Sequence, residues 1–198
     1  MTIRRATPDD VGRLSVTAMR AFVDDPVMRW LYPDDEMYLA PGGSVFWQAM
    51  HGWIRNDEVW CTEDGTALAV WLLPGRPEHV ADPDADVHRP PSPELEQRFG
   101  LIGAAMAAHT PPELHWYLQL LATHPDWQRQ GLGAELMRLQ FARKADEGLP
   151  CYLETESPEN VAYYRGHGFD VRSEWDVDPD GVLGRPGPHM WGMLRPVQ

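Results

Sequence analysis

Cysteine is nearly absent: Cys61 and Cys151 are the only two in 198 residues. They lie far apart in sequence, each in an apolar, strand-like context, so two reduced buried thiols are expected rather than a disulfide. The eight His show no HxxxH spacing and the cysteines no CxxC. Zinc needs clustered ligands, so no metal is expected. Apolar runs of about 18 residues are also missing, which excludes a membrane-spanning helix. The opening MTIRRATPDDVGRL lacks the apolar centre of a secretory signal, so a soluble, cytoplasmic protein is expected. Positive charge is scarce. Lys and Arg total 17 against 30 Asp and Glu, a formal net charge of -13. Such a field repels a nucleic-acid backbone and attracts cationic small molecules, so no nucleic-acid and no membrane partner is expected.

What is present suits a globular chain. Hydrophobic residues make up 43% and nine Trp supply large apolar area at few positions, enough for a core in one domain spanning residues 1–198. Residues 2–5 form a strand candidate. Thr7-Pro8-Asp9-Asp10 then reads as a helix start, with a cap, Pro at the first helical position and acids in the first turn. The helix should reach about Phe22, with Val11, Leu14, Ala18 and Phe22 on one side. Asp24-Asp25-Pro26 restarts a short helix through Trp30 and Leu31, and Pro41-Gly42-Gly43 breaks the chain before a helix over 44–55. Strands over 58–62 and 66–73 flank Glu63-Asp64-Gly65, a hairpin signal. Residues 74–93 read as an exposed excursion, and 93–109 as a helix. The apolar run 114–123 is a strand. Residues 132–147 form a helix with Leu132, Leu136, Leu139 and Ala142 sharing a face, and Gly148 and Pro150 stop it. Strand 151–155, a short helix 158–165 and strands over 169–177 and 189–194 follow. Strand, glycine turn, helix, strand makes a βαβ unit, and the antiparallel hairpin before it makes the sheet mixed. The fold class is α/β (α+β).

The turn of that unit is DWQRQGLGAELM, residues 126–137. Gly131 and Gly133 strip side chains from the start of the helix, where free N–H groups and the positive dipole end can meet an anion, and Arg129 adds a charge. A glycine turn that only lets strand and helix pack closely is the other reading. The spacing is neither GxGxxG, because Leu136 stands where the third glycine is needed, nor a Walker loop, because GK[ST] is missing.

Gln128, Arg129, Gln130, Gly131, Leu132 and Gly133 together resemble the Q/R-x-x-G-x-G/A pyrophosphate loop of GCN5-related N-acetyltransferases, the GNAT superfamily. Downstream, NVAYYRGHGF (160–169) resembles, through Asn160, Ala162 and the Y-x-x-x-G-F run from Tyr164 to Phe169, the segment that closes the acetyl-CoA site in that superfamily. The opening RRATPDDVGRL, the DEVWCTEDGTALAVWLLP hairpin and GLPCYLETESPENVAYYRGHGF are similar in order and wording to the puromycin N-acetyltransferase group within it. The resemblance implies a mixed, mostly antiparallel sheet flanked by helices and splayed at the acetyl-CoA site. It implies that the diphosphate of coenzyme A lies on the amides of Arg129, Gln130, Gly131, Leu132, Gly133 and Ala134, beside Gln128. It places the pantetheine arm along the main chain of Leu121, Ala122 and Thr123, with Asn160 and Tyr163 at the cofactor.

Direct transfer to an amine is implied, with a base to free the amine and an acid to protonate the leaving thiolate. Tyr164 falls on the family's acid position, and a phenol of pKa about 10 is protonated at neutral pH. Tyr163 is equally available as a core aromatic. Glu154 is the first candidate base, with capping or orienting a water as its other roles. His124 is the second, at the loop mouth. Glu156 is read as a solvent-side residue if the strand continues that far. Asp25, Trp30 and Tyr32, with Asp24, belong to the segment that walls the acceptor pocket in this family, or serve only as helix cap and hydrophobic staple. Acidity and the many Trp point to an amphipathic or cationic amine. An amine-bearing antibiotic is the leading expectation for the acceptor. A peptide amine, or a non-catalytic acyl-CoA-binding module, stands beside it, and the protein is expected as a monomer or homodimer.

Overall fold

The computed structural model of the chain describes residues 2–39, 45–75 and 92–197. Its strands are β1 (Ile3–Arg5), β2 (Glu58–Thr62), β3 (Ala67–Leu72), β4 (Trp116–Thr123), β5 (Cys151–Thr155), β6 (Asp170–Asp176) and β7 (His189–Arg195). Its helices are α1 (Val11–Ala21), α2 (Pro26–Leu31), α3 (Asp35–Tyr38), α4 (Val45–Asn56), α5 (Pro93–His109), α6 (Leu132–Lys144) and α7 (Pro158–Arg165). The strands form one open sheet in the order β1-β2-β3-β4-β5-β7-β6. Every pairing is antiparallel except β4 with β5.

β3 is buried at every position, as a strand covered on both faces must be. Leu68, Val70 and Leu72 turn into a core shared with α1, α2, α4 and α5. Ala67, Ala69 and Trp71 turn into a second core under α6 and α7. The hairpin forms at Gly65, whose φ of 73° needs a residue without a Cβ. The start of the chain is pinned by a buried carboxylate: Asp10 accepts from Arg4 Nη1 at 2.7 Å, Arg4 Nη2 at 2.9 Å, Arg13 Nε at 2.7 Å and Thr7 N at 2.8 Å.

α5 has the expected bounds, and the Ser92 hydroxyl accepts from Leu95 N at 3.2 Å and caps it. α6 differs from its sequence pattern. Leu136, Met137 and Gln140 are its buried residues, Leu139 is half-buried and Ala142 is exposed. The cause is polar, because the Gln140 amide donates to Glu58 Oε2 at 2.8 Å and turns that face of the helix to the sheet. α6 also ends earlier, its last residues forming a 3-10 turn, Ala145–Glu147. The single turn α3 was not foreseen. Cys61 and Cys151 are free and buried. The glycine break at 41–43 and most of the excursion at 74–93 lie outside the described residues. Among the described residues no helix is long and apolar enough to cross a membrane.

Two irregularities in β4 open the sheet. Val70 pairs with Leu120 but Trp71 with Leu118, so Gln119 is an extra residue bulged out of the ladder. The bulge shifts the side-chain alternation by one: Leu118 faces the second core and Leu120 the first. The parallel pairing of β4 with β5 covers Trp116 with Cys151 and Tyr117 with Tyr152. Beyond it β4 keeps β3 as its partner and β5 keeps β7, and the two strands part.

Candidate functional site

A cleft of about 1290 Å³ fills this opening and passes from one face of the sheet to the other. On the α6 side it is lined by Leu121, Thr123, Trp127, Gln128, Arg129, Gly131, Leu132, Gly133 and Ala134 from the β4–α6 turn, and by Asn160 and Tyr163 from α7. On the other side it meets Asp25, Phe46, Phe99, Tyr117, Glu154 and Glu156.

The turn is built by two left-handed residues, Arg129 with φ 63° and Gly131 with φ 82°. Gly131 is the residue before α6, so the N–H groups of the first helical turn point past it without intrahelical acceptors. The Gln128 amide donates to Thr123 O at 3.2 Å and ties the turn to the end of β4. A Cβ on Gly131 would meet nothing within 4 Å, whereas one on Gly133 would stand 3.3 Å from the Tyr163 hydroxyl and 3.4 Å from Leu121 Cδ2. The close approach of α7 and β4 therefore favours a glycine at 133, since a Cβ there would push on Tyr163 and Leu121, and the conformation favours one at 131. Arg129 is exposed at the rim. The turn thus offers an anion backbone donors, a helix dipole and a guanidinium. Gln130 is exposed and stands away from the cleft, and Ala122 is buried in the first core, so its side chain faces away.

α7 begins at Ser157, whose hydroxyl accepts from Asn160 N at 3.1 Å, and carries Asn160, Tyr163 and Tyr164 to the cleft. The Tyr164 ring packs on Phe169 with centroids 5.9 Å apart and on Tyr163 at 5.3 Å. Its hydroxyl makes no hydrogen bond among the described residues, although the residue lines the cleft. Burial, then the nearby Glu156 carboxyl and Tyr163, push the phenol above its usual range, so it is protonated at neutral pH. Tyr163 is more open, 40% exposed, with its hydroxyl over Gly133.

On the side away from α6 the structure brings three carboxyls to one wall. Glu154 accepts from Tyr117 Oη at 2.6 Å and from Tyr152 Oη at 3.2 Å. Asp25 caps α2, its Oδ1 accepting from Met28 N at 2.8 Å. Glu156 meets Asp25 as a hydrogen-bond partner and accepts from Asn160 Nδ2 at 3.3 Å. Burial, reinforced by Asp25, pushes Glu156 up to about 9. Burial raises Asp25 as well, against the donors that hold it. Two carboxyls in contact cannot both ionise cheaply, so at neutral pH the pair holds a proton, carried on Glu156 with Asp25 accepting.

β5 ends at Thr155, so the condition on which Glu156 would face solvent is not met, and Glu156 lines the cleft. Residues two apart on a strand share a side, and the chain past Thr155 keeps Glu156 beside Glu154 before turning into α7. Its spacing of four from Asn160, one helical turn, was the available signal. The bulged Gln119, which also lines the cleft, had none. Asp25 reaches the cleft, but Trp30 and Tyr32 do not line it: they are 3% and 7% exposed in the first core. Trp30 lies under the Arg98 guanidinium, 5.0 Å from its ring centroid. His124 caps the turn after β4, accepting from Asp126 N at 3.3 Å, and lies outside the cleft.

Residues 95–171 match the model of the acetyltransferase (GNAT) domain, a span that runs from α5 through the glycine turn and α7 into β6. Solved structures share the whole fold. A Corynebacterium glutamicum structure described as histone acetyltransferase HPA2 and related acetyltransferase is 22% identical, with a TM-score of 0.69 over 100% of this chain and 96% of that one. Arylalkylamine N-acetyltransferase 2 of Aedes aegypti is 11% identical, with a TM-score of 0.67 over 100% of this chain and 99% of the other. Naa20 of Chaetomium thermophilum, solved with a bisubstrate analogue, is 17% identical, with a TM-score of 0.55 over 100% and 87%. The open seven-stranded sheet flanked by helices is the GNAT fold. Over residues 95–171 the chain matches the GNAT acetyltransferase domain, and that match, together with the fold, supports an acetyl-CoA-dependent N-acetyltransferase.

Proposed function

We propose that the enzyme acetylates the primary amine of a small molecule, with the acyl donor held at the β4–α6 turn and the acceptor on the carboxyl-lined side. The observation that carries this reading is the single cleft joining the two sides through the parting of β4 and β5. Coenzyme A suits the turn's construction. The backbone is bare at Gly131 and Gly133, and the free N–H groups and Arg129 invert the field of an otherwise acidic protein where its phosphates would lie. The main chain at Leu121, Ala122 and Thr123, which has β3 on one side and open cleft on the other, suits the pantetheine arm, and Asn160 and Tyr163 stand over it.

When bound, acetyl-CoA supplies the activated acyl group. Glu154 takes a proton from the attacking amine, directly or through a water, while Tyr117 and Tyr152 hold its carboxylate in place. Tyr164 gives its O–H proton to the departing sulfur, a role that suits a phenol kept protonated and without another partner. The resemblance to puromycin N-acetyltransferase supports an amine-bearing antibiotic as the acceptor, which would make the reaction protective.

Thiol release from acetyl-CoA over a mixed amine library, with products weighed by mass spectrometry, is the test. Acetylated small amines are expected, and Tyr164→Phe should lower kcat about 100-fold with coenzyme A affinity unchanged. Tight coenzyme A binding with no turnover on any amine would identify a binding module instead, and acetylation of peptides alone would exclude a small-molecule acceptor.

A further inference from the structure

The acceptor side of the cleft combines two features that select a substrate. Its walls are mainly apolar, formed by Met28 of α2, Phe46 of α4, and Phe99, Ile102 and Met106 of α5, with Gln48 and Glu96 the polar side chains on the same two long helices. Its polar end is the Asp25–Glu156 pair, close enough to Tyr164 for the Glu156 charge to act on that phenol. We propose that this chamber takes an amine with a single cationic nitrogen on an apolar body, the ammonium set against Asp25 and Glu156 and the body against α4 and α5. The proposal rests on the small-amine transferase reading and narrows it to one class of acceptor.

The pair is short of one positive charge. Asp25 has the Met28 N–H and Glu156 the Asn160 amide, both uncharged donors. Around them stand Asp24, Tyr32 and Tyr38 from the α1–α3 stretch, and Glu154, Glu159 and Tyr164 from β5 and α7. Arg29, on the same stretch, is committed to Asp35 at 2.6 Å and to the Val23 carbonyl. Arg129 lines the far, α6 side of the cleft. A pair that shares a proton carries one net negative charge, which one ammonium neutralises. Along the apolar stretch a second cation would lose its water, and the exposed Glu96 offers it only a water-screened partner, so diamines are selected against. An uncharged amine gains the apolar contact but not the ion pair.

The test compares n-hexylamine, 4-phenylbutylamine, 1,6-diaminohexane and aniline as acceptors for the wild type, Glu156→Gln, Asp25→Asn and Phe99→Asp. Both amide variants keep the neighbouring hydrogen bonds, since Asn also caps a helix. The two apolar alkylamines should be preferred over the diamine by wild type. Asp25→Asn, which removes the charged member of the pair, should raise KM for them about 10- to 100-fold, the range for a lost hydrogen bond to a charged group, while leaving the KM for aniline within about threefold, and Glu156→Gln, which replaces the protonated member, should raise the alkylamine KM less. Phe99→Asp, which puts a carboxylate on the apolar wall, should shift preference toward the diamine by about tenfold in the folded variant. Infrared difference spectra at neutral pH should show a protonated carboxyl in the wild type that is missing in Glu156→Gln. A preference for the diamine, an equal rise in KM for all four amines, or no protonated carboxyl overturns the proposal. In the first two results small amines are still acetylated and the parent reading stands, whereas turnover of no amine removes both.

Discussion

Replacing Gly131 by Ala and by Asp separates what its backbone does for the fold from what its position does for an anion. The residue sits at φ 82° with open space where a Cβ would go, so neither variant clashes and only conformation and charge change. Ala in the left-handed region costs about 1–2 kcal/mol, while Asp visits that region more readily and adds a favourable charge at a helix start. A chain of this size loses about 2–4 °C in Tm per kcal/mol, so Ala should be the less stable variant. Affinity should rank the other way. A carboxylate about 6 Å from each of two phosphate charges, at an effective dielectric near 40, is repelled by roughly 1.4 kcal/mol per charge. The sum of about 3 kcal/mol is about a 100-fold loss in coenzyme A affinity for Asp. The strain of Ala is present in free and bound protein alike and should change Kd little. Calorimetric titration with coenzyme A, beside thermal melts, reads both quantities, and the Asp defect should shrink with added salt. Equal loss of affinity in the two variants, or full affinity in Gly131→Asp, refutes the assignment of the anion to this turn.

Two further outcomes concern what holds the cleft in shape. Asp10, 1% exposed, accepts hydrogen bonds from two guanidiniums that keep contact with water. Asp10→Asn should cost about 2 kcal/mol in urea unfolding at neutral pH. Its carboxyl is held well below the usual range, chiefly by Arg4. The stability it supplies is therefore complete above the ordinary Asp pKa of about 4 and is lost as pH falls through and below it, and the gap between wild type and Asp10→Asn should close in acid. Leu136→Ala, at a residue 1% exposed in the second core, should cost about 3 kcal/mol. Its effect on coenzyme A affinity should be small while the protein remains folded, because Leu136 anchors α6 without reaching the cleft.

Local chemistry was legible and register was not. Ser92-Pro93, Asp25-Pro26 and Asp64-Gly65 each state a cap or a turn in adjacent residues, and each element begins or turns where they stand. The glycine turn was equally plain, because Gly131 and Gly133 act through their own backbone. The bulge at Gln119 depends on how β4 meets β3, a relation between segments about 50 residues apart in the register of Val70 with Leu120. The buried face of α6 depends on Glu58 accepting from Gln140, a polar pair that apolar periodicity cannot report. Glu156 and Asp25 are likewise brought together by the fold, from the end of β5 and the start of α2. Trp30 and Tyr32 had the composition of a pocket wall but serve the core behind it.

The central claim is that main-chain donors at the start of α6 hold the phosphates of the acyl carrier. A crystal structure of the protein soaked with coenzyme A tests it most directly. The account requires the diphosphate oxygens to accept from the N–H groups of residues 129–134, with the thiol arm entering the parting of β4 and β5. A diphosphate bound at any other surface, with that turn left to water, contradicts it.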